Sequence, residues 1–110
     1  MRLSDAARRQ VDDLRRHYRR RQRPEALRNL AAALRDAPRL VAEGNGLPAP
    51  RPYPGLAAEG EAWVHAPPYW IAYSLAPPPM ILAVFFDQAD VAGRFRPGLM
   101  GLGTSQSNED

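Results

Sequence analysis

The chain has 110 residues, 25% of them charged, with a formal net charge of +3 and no cysteine. That length is one domain's worth, able to bury roughly 60 to 70% of the surface an unfolded chain exposes. The missing cysteine excludes disulfides, thiolate metal ligands and a thiol nucleophile.

The opening "MRLSDAARRQ" carries no apolar signal core, and the run "MILAVFF" is far too short for a bilayer, so a cytoplasmic protein without membrane contact is expected. Charge is unevenly placed. All fifteen cationic residues are arginine. Residues 1–40 hold twelve of them against five acids, a balance of +7, whereas residues 41–110 hold three against seven, a balance of −4. One strongly positive face is expected.

Ser4 is a good N-cap, with Asp5 in the first turn where the helix dipole favours negative charge. Ala7, Val11, Leu14 and Tyr18 then recur at helical spacing, which predicts an amphipathic helix over residues 4–21. Pro24 starts a second helix, with Leu27, Leu30, Ala31, Leu34 and Ala37 as its stripe and its end near Pro38. The short link "RRQRP" folds the two into an antiparallel hairpin.

Residues 44–60, rich in glycine and proline, read as a loop without regular structure. Three strands are predicted after it, at residues 61–66, 69–75 and 80–87. The stretch from Tyr69 to Phe86 carries no charged side chain, so at least one face of each of the last two strands is covered. Pairing Leu75 with Met80 across "APPP" sets Tyr73 opposite Leu82 and Ile71 opposite Val84, facing Leu14, Leu27, Leu30 and Leu34. The fold class is α+β: an N-terminal helical hairpin on one face of a small antiparallel sheet. Residues 1–97 form the domain, and residues 98–110 have a flexible tail's composition.

The order helix, helix, strand, strand, strand resembles the RelE/ParE superfamily of bacterial toxins. The resemblance is carried by "LSDAARRQVDDLRRHY", "RPEALRNLAAAL", "PRPYPGL", "PYWIAYSL" and "ILAVFFDQAD", spanning about residues 2–92. It implies the toxin of a type II toxin–antitoxin pair, of the kind tied to plasmid stabilisation and neutralised by a small antitoxin encoded beside it. Family members usually begin with a strand, for which only residues 1–3 remain here. They often end the last strand with a histidine and paired arginines, where this chain has Phe86, Gln88 and Ala89.

The superfamily holds two kinds of toxin. RelE-like members cleave mRNA on the ribosome, which requires a base, an acid and cations for the phosphate. Residues 52–93 contain no arginine or lysine, leaving His65, Tyr73 and Arg94 as the catalytic candidates, with Tyr69, Arg51 and Arg96 as recruits. His65, on an alternating strand beside Trp63, reads more readily as a half-exposed strand residue than as a catalytic base. The only other histidine, His17, sits on the first helix, so no metal site or cofactor is readable. ParE-like members inhibit DNA gyrase as protein ligands and need no acid–base set, so the sequence favours that branch.

Arg15, Arg16, Arg19, Arg20, Arg21 and Arg23 crowd the hairpin turn and are the candidate partner-binding residues. Antitoxin tails in this family are commonly acidic, and such a face would speed and orient their docking. The same arginines suit phosphate, so an arginine-rich nucleic-acid-binding module is a further reading. No recognition helix or RNA-binding motif accompanies them.

Overall fold

The computed structural model describes residues 1–50 and 53–87 of the chain. The elements are β1 (Arg2–Leu3), α1 (Asp5–Arg20), α2 (Pro24–Ala42), a 3-10 turn (Pro54–Leu56), β2 (Glu61–Ala66), β3 (Tyr69–Ser74) and β4 (Met80–Phe86). The sheet order is β1-β4-β3-β2. The class is α+β, as expected, but the sheet is mixed rather than wholly antiparallel. β1 runs parallel to β4, with Arg2 opposite Met80 and Leu3 opposite Ile81. At two residues β1 is too short to leave a strand pattern in the sequence. Its end is pinned because the Ser4 N–H donates to the Ile81 carbonyl (2.9 Å), while the Ser4 hydroxyl accepts from the Ala7 N–H (3.0 Å) and caps α1.

Both helices stop by the same backbone device. At the end of α1, the Gln22 and Arg23 N–H groups donate to the carbonyls of Arg19 and Tyr18. At the end of α2, those of Gly44 and Asn45 donate to Val41 and Leu40. This is a Schellman closure, which places one residue in the left-handed region. Gly44 takes that conformation (φ 85°) without a Cβ to clash, whereas Gln22 takes it (φ 52°) as a side-chain-bearing residue. The true stop of α2 is therefore Gly44, and the helix runs through Pro38 to Ala42. Proline gives up one backbone hydrogen bond there. Leu40 and Val41, beyond it, pack on the core.

The helices lie on one sheet face. Ala7 and Val11 of α1 and Leu30, Ala33 and Ala37 of α2 are buried against Val64, Ile71, Ile81 and Val84. The second helix is turned relative to its expected stripe: Ala33 is buried, Leu27 is half-buried and Ala31 is exposed. The hairpin register holds at Ile71–Val84 and then slips, with Tyr73 opposite Ile81 instead of Leu82. Leu82 is the extra residue of a β-bulge and leans to the other face, among residues packed with Ala83 and Phe85. Leu75 lies beyond the ladder, its N–H donating to the Gly60 carbonyl.

That other face is covered too. Ala49 and Leu56 of the segment between α2 and β2 are buried against Trp63, Trp70, Ala72 and Phe85, with Leu47 and Tyr53 packed around them. Leu47 also exchanges two 2.7 Å hydrogen bonds with Trp63 and so extends the sheet at its β2 edge. The segment expected to be irregular thus contributes a bridge and a helical turn. Trp63 anchors it from the sheet side.

Leu30 is wholly buried at the centre of the helix–sheet interface. Leu30→Ala is expected to lower unfolding free energy by about 2 to 5 kcal/mol. Urea denaturation measures it, and a midpoint equal to that of the unmodified chain would contradict this packing.

Candidate functional site

The α1 end and the turn after it collect the basic residues. Arg16, Arg19, Arg20, Arg21 and Arg23 are exposed and Arg15 is half-buried. Cations suit this place, since the carboxyl end of a helix carries partial negative charge. Arg16 pairs with Asp13. Among the described residues, the other five have no ion-pair partner. Elsewhere Arg39 is paired to Glu43 at 3.2 Å. The turn therefore presents most of its charge outward.

Beside this turn lies a hollow of about 420 Å³. Tyr18 and Arg23 contribute from the end of α1 and the turn, Ala26 and Asn29 from α2, and Tyr69 and Phe86 from the sheet. Tyr69 is buried, and its hydroxyl lies 2.6 Å from that of Tyr18, tying α1 to the sheet. Burial first, and the Tyr18 hydroxyl second, push the Tyr69 phenol well above its ordinary pKa. Phe86 stands edge-on to Tyr69 at 5.6 Å and is 40% exposed, one of two large apolar side chains left open among the described residues.

The catalytic candidates do not meet. Tyr73 lies on the helix-covered face, where burial raises its pKa. His65 points to the opposite face, stacked on Trp70 at 4.6 Å, with its Nε2 atom 3.4 Å from Asp87 Oδ2. A four-stranded sheet separates them, so they cannot act on one phosphate. Arg94 lies outside the described residues, as do Arg51 and Arg96. Among the described residues, no cluster of three histidine or acidic side chains could hold a metal ion. No helix there is long and apolar enough to cross a membrane.

The arginine cluster was readable from the sequence, and the hollow was not, because four elements build it. One signal was present: the strand-closing run "MILAVFF" ends on an aromatic residue, Phe86. In comparisons with known proteins, the chain matches no family model, no curated protein and no solved structure.

Two measurements check this geometry. A Cβ at position 46 would collide with the Tyr73 hydroxyl oxygen and lie 3.3 Å from its Cζ. Gly46→Ala is expected to destabilise by about 1 to 3 kcal/mol through overpacking. Adding Tyr73→Phe should recover most of that loss, and a double-mutant cycle with no coupling would refute the contact. For Tyr69, the raised folded pKa means the unfolded chain loses its proton first. The resulting stabilisation is full below the ordinary tyrosine value of about 10. It declines as pH rises from there toward the folded pKa. Unfolding followed from pH 8 to 12 should show that alkaline loss, weakened in Tyr69→Phe; identical profiles would count against the buried Tyr18–Tyr69 pair.

Proposed function

We propose that this chain is the toxin of a bacterial toxin–antitoxin pair, acting as a protein ligand on a cellular target and neutralised by an acidic antitoxin. DNA gyrase is the target that the ParE branch suggests. The carrying observation is that both faces of the sheet are covered, with His65 and Tyr73 on opposite sides. An RNA-cleaving site would need a base, an acid and phosphate-holding cations converging on one open surface. The described residues offer none.

Two further features support the reading. The short β1 supplies the strand that the family resemblance calls for before the first helix, completing the order strand, helix, helix, strand, strand, strand. The unpaired arginines at the turn suit an acidic protein, whose approach they would accelerate. Ribosome-dependent mRNA cleavage and direct nucleic-acid binding are the competing functions, and induction in cells separates the first of them from the protein-ligand reading.

Induction in bacterial cells should arrest growth without generating new mRNA 5′ ends, and co-expression of an acidic neighbouring reading frame should restore growth. Codon-positioned cuts that vanish with His65→Ala would overturn the protein-ligand reading in favour of a ribonuclease. Unchanged growth on induction would overturn the toxin reading itself.

A further inference from the structure

The hollow beside the hairpin turn is a built depression rather than a flat patch. Its walls come from α1, α2 and two strands, its floor carries the aromatic rings of Tyr69 and Phe86, and its volume of about 420 Å³ is that of a binding pocket. A solvent-facing phenylalanine edge-packed on a buried tyrosine is an apolar surface without a cover among the described residues. Arg23 forms part of the rim, and Arg19, Arg20 and Arg21 lead up to it along the chain, all without ion-pair partners among the described residues. Glu25 is the one carboxylate on the wall. Carboxylates are repelled beside Glu25 and attracted beside Arg23, so they are accommodated at the arginine side and an apolar group against Tyr69 and Phe86.

We infer that the hollow seats one large aliphatic or aromatic side chain of an acidic protein segment, whose flanking carboxylates pair with Arg23 and the arginines of the turn. Anchor residues in enclosed pockets dominate the energetics of protein interfaces, with surrounding charges supplying orientation and encounter rate. The apolar contact sets residence and the arginines set arrival. This deepens the antitoxin half of the reading above and is independent of whether the chain is toxic. Nucleic acid is disfavoured as the occupant, because Glu25 lines the depression and, among the described residues, no row of exposed aromatic side chains accompanies the arginines.

The test uses the full chain and short synthetic peptides made of aspartate and glutamate around a single central leucine, with a central-alanine peptide as control, read by fluorescence anisotropy. The leucine peptide should bind at least about tenfold more tightly. Ala26→Trp, which fills the hollow, should abolish that difference, and Asn29→Trp on the exposed wall provides a second block if the first disturbs folding. Replacing Arg19, Arg20, Arg21 and Arg23 with glutamine should weaken both peptides about equally and remove their salt dependence. Equal affinities for the two peptides, absence of binding, or indifference to both tryptophan variants would overturn the inference. So would single-stranded RNA or duplex DNA that outcompetes the leucine peptide, or a dimer in sedimentation that Ala26→Trp dissociates. Growth arrest does not enter these readouts, so the toxin reading and the pocket fail separately.

Discussion

β3 has no wet side. Every residue from Tyr69 to Tyr73 is buried, with side chains alternating between the two faces. A central strand of this kind demands two covers, and a domain of this size has one helical hairpin to spend on them. The second cover has to come from chain that cannot form a long helix, and the proline-rich segment between α2 and β2 provides it. Its alanine, leucine and tyrosine side chains meet Trp63, Trp70 and Phe85, so the segment acts as a lid of packed side chains. Leu47 secures it by pairing with the edge strand. The bulge at Leu82 belongs to the same economy: it gives the lid-side face one more apolar residue without shortening the helix-side row.

Once both faces are closed, the charges have few places to stand. No polar or charged residue is buried among the described residues. Burying an arginine without a partner is expensive. Apart from Arg2 on β1, the described arginines therefore lie on the helices and at the turn, where the Schellman closure holds the backbone without using any of their side chains. Because main-chain hydrogen bonds do the closing, the guanidinium groups stay available for something else. The hollow forms at the same end because Tyr18 is engaged downward with Tyr69, which leaves the space between the turn and Phe86 unfilled. Basic rim and apolar floor thus share one origin in the way the hairpin is fastened to the sheet.

Much of this was legible in the residues. The N-cap at Ser4, the stripe of α1, the three long strands and the pairing of Ile71 with Val84 follow from local pattern, since each is decided within a few neighbouring residues. Pro38 misled because a proline's lost hydrogen bond was outweighed by the packing of Leu40 and Val41, two residues whose value is tertiary. The parallel β1 was hidden because two residues carry no period. The hairpin register put Tyr73 on the helix-facing side, but strand spacing alone did not say that His65 would take the opposite face. The arginine cluster was plain, being confined to residues 15–23, whereas the hollow depends on bringing Phe86 beside Tyr18 and Ala26, which lie far from it in the chain.

Gln10 shows a different kind of constraint. β1 accompanies β4 only as far as Ile81, and past that point the outer edge of β4 would be open. The Gln10 carboxamide fills the gap: its Oε1 accepts from the Val84 N–H at 2.9 Å and its Nε2 donates to the Val84 carbonyl. One side chain thus imitates a missing residue of neighbouring strand, offering a donor and an acceptor at main-chain spacing. Few alternatives can impersonate a peptide group from that distance. Asparagine is a methylene shorter, glutamate would set an oxygen against the carbonyl, and methionine would fit the space while answering neither group. A position that helical periodicity would class as an interchangeable flank is therefore among the least interchangeable on α1, for a reason that belongs to the sheet.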